Sequence, residues 1–532
     1  MQPAGHRRPR RRLPPSLLMA GGTVVSRATG FVRAALVVAV LGAGPLADGY
    51  NVANTVPNIL FVLLIGGALN TALVPHLVKA ARESEDGGAA HVNRLVSLLV
   101  AALVVITALV VPAAPLIVRA YTSYGGSQLD RTVLLAYLCL PQVFCYGLFT
   151  VLGQVLNARQ RFAPMAWAPV LNNLVVIAVF GSMLGTDRLG EGQVMLLGAG
   201  TTLGVVVQSL ALVPCLRAAG VRLRPRWDWR EAGLGDPLRA AGWTLLLVLT
   251  DQLGYWVVTR LSTGVGEQAA AVGVAGGVGY TAYSSAYLLW IVPHGVMTVS
   301  LVTAVLPGMS AAAAGGALAE VRALASRALR TVAVVTVPAA CGLAVLAPQL
   351  AQIAFGHGRA GAADVRAIGW MLTAFAPGLV LYSAAYGLTR VFYAMRDSRT
   401  PFLLNLLPVA AAAVGSLVCY RCLPLRWAVT GMAACYGGSF LLAVAGAALL
   451  LRRRLGGLDT ARILGTHARL LLAALPAAAA AWAVSRAASR APGEAWTGLA
   501  AGGLTLAVVY LLLGRLLRVE ELAVLTARLR RR

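Results

Sequence analysis

Residues 26–75 read SRATGFVRAALVVAVLGAGPLADGYNVANTVPNILFVLLIGGALNTALVP, two apolar runs joined by a short Gly-rich turn, each long enough to cross a bilayer as a helix. The first run carries Arg27 and Arg33 inside it. An arginine at the centre of a spanning helix costs about 2.5 to 3.5 kcal/mol on insertion scales, so a lipid-facing position rarely keeps one. Both guanidinium groups are therefore expected to meet something polar. With the run starting at Leu17, Arg27 lies roughly 15 Å into it and Arg33 about 9 Å further, at 1.5 Å per residue. Six residues also separate the two by about 120° around the helix, so they need not share a face and can line one wet cavity at two depths.

Working outward, the chain is 58% hydrophobic and only 12% charged over 532 residues, which excludes a soluble protein of this size. Apolar runs of spanning length recur about fourteen times. They fall near 17–42, 52–78, 95–118, 132–156, 163–185, 192–216, 240–262, 271–306, 331–355, 367–393, 401–420, 427–451, 470–485 and 496–514. The fold class is thus an all-α polytopic membrane protein. Its net charge of +26 points to topology rather than to nucleic acid. With a cytoplasmic N-terminus, roughly 32 Lys and Arg fall in inside loops and tails, about 10 outside and about 3 within the membrane, the usual inside bias. An even number of crossings puts both termini in the cytoplasm, where the Arg7–Arg12 and Arg528–Arg532 clusters can meet anionic lipid head groups. HRRPRRR before an apolar run resembles an export signal, but this run is too long and too charged for a signal core, so no cleavage is expected. Seven cysteines show no paired spacing, and the lone CxxC at Cys419 and Cys422 is read as chance rather than as a redox or zinc site.

The chain repeats itself. QVLNARQRFAPMAWAPVLNN at 154–173 returns as LTRVFYAMRDSRTPFLLNLLP at 388–408, and ALVPHL returns as AVLPGM, both at an offset of about 235 residues. The expected organisation is a basic tail (1–16), a six-helix lobe (17–218), a basic cytoplasmic linker (219–239), a second six-helix lobe (240–452), two further helices (453–518) and a basic tail (519–532). Six crossings return the chain to the same side, so the lobes should be related by a pseudo-two-fold axis along the membrane normal. Such twin lobes suit alternating access around a midplane site, although a duplicated bundle that transports nothing has the same pattern.

Polar groups sunk in the apolar runs are the candidate site. Amides such as Asn70, Gln154, Asn172, Asn173, Gln208, Gln252 and Asn405 commonly bind helix to helix. Ions are more telling, and Arg27, Arg33 and Asp251 are the sharpest functional candidates. Arg390 lies near an inner helix end, where it can snorkel, and His294 follows Pro293 in what reads as a kinked helix. More arginine than carboxylate suits an anionic substrate, because guanidinium pairs bidentately with phosphate. No metal-ligand cluster, nucleophile elbow or phosphate loop is evident, so neither an enzyme nor a cofactor is expected.

SRATGFVR, LGAGPLADGYNVANTVPNIL, GGALNTALVP, LNARQRFAPMAWAPVLNN and FYAMRDSRTPF resemble, in order and spacing, the MurJ/MviN-type lipid II flippases of the multidrug/oligosaccharidyl-lipid/polysaccharide exporter superfamily. The resemblance implies a fourteen-helix inner-membrane flippase that carries a lipid-linked peptidoglycan precursor from inner to outer leaflet. It further implies a central cationic cavity for the pyrophosphate and sugar head, and a groove on the last two helices for the polyprenyl tail. By the same resemblance Arg27 and Arg33 match cavity arginines, and Asp48 matches the acidic residue after the Gly-rich turn. The full candidate substrate-binding set is Arg27, Arg33, Asp48, Asn54, Asn58, Asp251 and Arg390. Three positions depart from the pattern: Phe61 and Leu289 stand where the family has arginine, and Gly66 where it has glutamate. Fewer cations leave two other readings open, an exporter of a different lipid-linked or amphipathic anion and a non-transporting scaffold for cell-wall enzymes. The expected partners are the lipid-linked precursor, the membrane and cell-wall synthesis proteins.

Overall fold

The computed structural model describes residues 15–63, 88–186, 190–226, 228, 235–274, 276–489 and 494–522. Gly66, Asn70, the ALVPHL landmark, both terminal arginine clusters and residues 227 and 229–234 of the inter-lobe linker lie outside the described residues. In chain order the helices are α1 Pro15–Leu41, α2 Pro45–Leu63, α3 Ala89–Val110, α4 Ala114–Tyr121, α5 Gly126–Cys139, α6 Gln142–Ala158, α7 Ala163–Gly181, α8 Glu191–Leu210 and α9 Leu212–Ala218. They continue with α10 Gly235–Ala271, α11 Tyr280–Pro293, α12 Val299–Ala314, α13 Leu318–Val345, α14 Ala347–Phe355, α15 Ala362–Phe375 and α16 Gly378–Ala394. The last four are α17 Arg399–Cys422, α18 Leu425–Arg454, α19 Thr460–Ala488 and α20 Glu494–Leu516. No strand occurs among the described residues. As far as they are described, the fourteen sequence-read spans each fall on one helix or on consecutive helices. By length and hydropathy, 11 stretches can cross a membrane, or 12 if α15 and α16, bent by 47° at their junction, form one span. The helix α10, carrying Asp251 and Gln252 at its middle, is not among these stretches.

Two compact units make up the chain, residues 1–36, 56–112 and 137–241 in the first and residues 37–55, 113–136 and 242–532 in the second. The core of the first unit packs α3, α6 and α9, with Leu95, Phe149, Leu152, Leu156, Leu212 and Leu216 fully buried. In this unit α8 is also zipped by hydroxyls to α6 and to the end of α5: Ser209 donates to the Cys145 carbonyl at 2.7 Å and Thr202 to the Leu138 carbonyl at 2.6 Å. Hydroxyls and amides that find partners across helices are the economical way to join segments whose apolar faces gain little from leaving lipid.

Among the described residues, two clusters of buried side chains lie in the second unit. One joins α12, α13, α16 and α18 through Met309, Val321, Leu388, Phe392 and Leu451. The other seats the C-terminal pair on α13, where Val334 and Val337 meet Leu470, Ala473 and Ala477. Tyr510 adds a hydrogen bond to the Val334 carbonyl at 2.7 Å, and Arg330 pairs with Glu521 just beyond α20.

The internal repeat is written into backbone turns. After α6, the Gln160 amide donates to the Asn157 carbonyl at 2.9 Å and the Arg161 amide to that of Leu156 at 2.9 Å. After α16, 236 residues on, Arg396 donates to Tyr393 at 3.0 Å and Asp397 to Phe392 at 2.9 Å. Gln160 and Arg396 both sit in the left-handed region, with φ of 58° and 59°. This is the Schellman closure of a helix. A second pair stands at the same offset, with Gly220 at φ 76° closing α9 and Gly456 at φ 66° closing α18. Two turns at one offset show that the sequence repeat is a structural one.

Candidate functional site

In the first unit, α1 is docked on α7 along one stripe. Trp167 donates its indole N–H to the Leu18 carbonyl at 3.0 Å and covers Gly22, where a Cβ would come within 2.8 Å of the ring. One turn and then two further on, Asn173 donates to the Ser26 carbonyl and the Thr29 hydroxyl, both at 3.0 Å. This fixes the rotation of α1 and so decides where its arginines go. Arg33, one heptad after Ser26, turns toward α6 and lies beside the Tyr146 hydroxyl. Its charge also acts on the buried Cys139. Arg27 lies about 120° away by helical geometry and is exposed. Neither arginine is ion-paired among the described residues.

Tyr146 has no sequence signal that marks it. Its ring lies against Phe61, centroids 4.7 Å apart, and Phe61 in turn reaches Phe149 at 6.2 Å. The position where the resemblance implies a cation is thus an aromatic shelf beside the Arg33 hydroxyl partner. Asn58, one turn before Phe61, is exposed.

The second unit gathers the remaining candidates in three separate settings. Asp48 is 1% exposed, and its two carboxylate oxygens accept from the Tyr280 and Thr281 amides at 3.1 and 2.7 Å. It therefore caps the N-terminus of α11 from another helix, satisfying two free N–H groups and meeting the positive end of the helix dipole. Asn51 reinforces the joint by donating to the Thr281 hydroxyl at 3.0 Å. Close approach is possible because residues 266 and 279 are glycines, for a Cβ on Gly279 would fall 2.2 Å from the Asp48 oxygen. Asn54 returns its amide to the Tyr50 carbonyl of its own helix at 2.9 Å.

Asp251, exposed at the middle of α10, accepts from the Asn405 amide of α17 at 2.7 Å. Arg390 stacks over Tyr386 and Tyr393 at 4.6 and 5.4 Å from the ring centroids, a cation–π clamp rather than an ion pair. Tyr393 feels both Arg390 and Asp251 electrostatically. His294 is buried in the π turn His294–Thr298, with Nδ1 3.0 Å from the Ser383 hydroxyl and its ring against Tyr382 and Tyr386. The kink expected after Pro293 is this π turn. It aims a polar ring at Ser383 without leaving it unpaired.

No group of three or more metal-ligating side chains occurs among the described residues. The family model described as lipid II flippase MurJ matches residues 37–495. The chain belongs to the lipid II flippase MurJ family. Arg27 and Arg33 precede the matched residues. A probable lipid II flippase MurJ of Rhizobium tropici is 28% identical over 422 residues, 77% of this chain and 76% of the relative. Another probable lipid II flippase MurJ, from Haemophilus influenzae, is 26% identical over 86% of this chain and 90% of its own length. A solved lipid II flippase MurJ in an inward closed conformation superposes with a TM-score of 0.74 at 17% identity, covering 94% of this chain and 98% of that one. An inward-facing multidrug resistance MATE transporter reaches 0.66 at 16% identity over 84% and 99% of the two chains. The two structural likenesses agree on one fold.

Proposed function

We propose that this chain moves lipid II, the undecaprenyl-pyrophosphate-linked peptidoglycan precursor, from the inner to the outer leaflet of the bacterial cytoplasmic membrane by alternating access. Membership in the family and the names of its relatives support the substrate class. The internal repeat supports two lobes that work as rigid halves. One observation carries the reading: Arg33, deep in a spanning helix, lies beside the neutral Tyr146 hydroxyl and is ion-paired with no described carboxylate, which leaves its charge available to an anion. A guanidinium so placed suits a pyrophosphate, to which it can donate two parallel hydrogen bonds.

In this reading Arg27 and Arg33 take the pyrophosphate, with Asn58 on the next helix. Asp251, bonded to Asn405, and Arg390 respond to charge in the second lobe. Asp48 holds the scaffold and does not touch substrate, since both its oxygens are spent on backbone groups, and Asn54 bonds the Tyr50 carbonyl of its own helix. Both termini are cytoplasmic, and the pair α19 and α20 carries the lipid tail. Replacing an essential lipid II flippase with this chain tests the proposal. Growth and a normal outer-leaflet lipid II pool are expected, and collapse of that pool with the protein correctly inserted overturns it. Phe61 favours one second reading, a different lipid-linked anion, because an aromatic ring beside Tyr146 replaces a cation that the family resemblance implies. Failed complementation together with binding of another purified polyprenyl-phosphate carrier selects that alternative.

A further inference from the structure

The helices α17 and α18 meet through a matched pair of motifs, Gly415-x-x-x-Cys419 on one and Gly431-x-x-x-Cys435 on the other. Each glycine makes room for the opposite cysteine: a Cβ on Gly415 would lie 2.8 Å from that of Cys435, and one on Gly431 would lie 2.9 Å from the Cys419 sulfur. The outcome is two thiols with sulfurs 3.7 Å apart on neighbouring helices, Cys419 one turn before the end of α17 and Cys435 about three turns into α18. Cys419 is buried at 7% exposure, whereas Cys422, three residues on at the end of α17, is exposed. The sequence spacing alone draws attention to Cys419 and Cys422 and hides Cys435, which helix packing brings to the pair.

We propose that Cys419 and Cys435 are an oxidisable dithiol that closes to a disulfide, clamping α17 to α18, with Cys422 as the entry thiol. The in-cell reaction rests on the topology proposed above, which puts the α17–α18 connection on the oxidising outer side of the membrane. The oxidant is the disulfide of an extracytoplasmic thiol–disulfide exchange protein. The Cys422 thiolate attacks it and releases one donor thiol. Cys419 then displaces the second donor thiol by attacking the Cys422 sulfur, and Cys435 attacks the Cys419 sulfur to free Cys422. Two protein thiols lose two electrons and two protons, and the donor disulfide becomes two thiols. Because Asn405 on α17 bonds Asp251, the clamp restrains a helix that carries a polar contact of the candidate site.

The test uses full-length protein in its own membrane. Cells are treated with a permeant maleimide to block free thiols, and the protein is then reduced and labelled with a polymer-tagged maleimide. Two new labels are expected in the native chain, placed on Cys419 and Cys435 by peptide mapping; Cys419→Ser should abolish the pair, and Cys435→Ser should leave at most the Cys419–Cys422 intermediate. In Cys422→Ser the two labels should appear more slowly in cells but at the native rate when isolated membranes are treated with a small-molecule disulfide. All 7 thiols blocked before reduction, in cells and after the small-molecule disulfide alike, overturn the dithiol. A membrane-impermeant maleimide on intact cells tests the topology separately. Failure to reach Cys422 overturns the outward placement, and in-cell oxidation with it, whereas pairing in treated membranes bears only on the dithiol.

Discussion

Arg33 and Asp48 stand only fifteen residues apart in sequence, yet one lies in the first unit and the other in the second, and their charges are treated in opposite ways. The Asp48 carboxylate is enclosed and fully engaged, with both oxygens on backbone amides at the start of α11. The Arg33 guanidinium meets one phenol and keeps donors to spare. A buried ion whose every bonding site is filled by its own fold is a piece of architecture. The half-buried Arg33, short of partners, is left available to a ligand. Charge alone does not separate the two cases, whereas burial and the hydrogen-bond inventory do.

The comparison breaks first on Arg33→Ala. Transport should fall to background while the amount of inserted protein and its melting temperature stay near native, as read by lipid II exposure and by thermal unfolding in detergent. Lost stability with transport per folded molecule intact would reverse the assignment. Asp48→Ala should do the opposite, costing about 3 kcal/mol of stability because two buried amides lose their acceptor. Asp48→Asn, which keeps one oxygen, should cost less, and Gly279→Ala should resemble Asp48→Ala because its Cβ collides with the carboxylate.

Tyr146→Phe sharpens the contrast. It removes the hydroxyl that orients Arg33 but keeps the ring on Phe61, and transport should drop by about tenfold, the equivalent of one charge-assisted hydrogen bond. The smallest effect belongs to Asp397, in the turn between α16 and α17. Burial by itself raises its pKa, but hydrogen bonds from the Thr400 hydroxyl and amide, and then from Arg454, outweigh burial and hold the carboxyl below the usual aspartate value. A depressed native pKa stabilises fully above the unfolded value of about 3.9 and is lost as pH falls through the native one. Asp397→Asn should therefore lower stability by about 1 kcal/mol at pH 7, with the gap closing below about pH 4.

Much of the fold was legible because spanning length and apolar composition leave helices as the main solution, and a duplicated motif at fixed offset survives sequence drift. The site was legible only in part. Arginine inside an apolar run announces itself, so Arg27 and Arg33 stand out by their cost. Tyr146 does not, because a tyrosine in a membrane helix is ordinary and its pairing with Arg33 depends on how Trp167 and Asn173 set the rotation of α1. Asp48 was visible as an acidic residue after a Gly-rich turn. Its capping of α11 was not, since that depends on a helix start more than two hundred residues away. The Phe61 substitution shows as a missing cation in sequence and as an aromatic neighbour of Tyr146 only in three dimensions.

The phenol that holds Arg33 has one more consequence. A hydroxyl orients a cation without cancelling it, so α1 carries a formal positive charge that no described side chain neutralises by pairing. An elementary charge carried through the full bilayer exchanges about 2.3 kcal/mol with each 100 mV of transmembrane voltage. Any tilt or shift of α1 along the membrane normal is therefore electrically biased, and an anion docked on Arg33 reduces that bias while it remains bound.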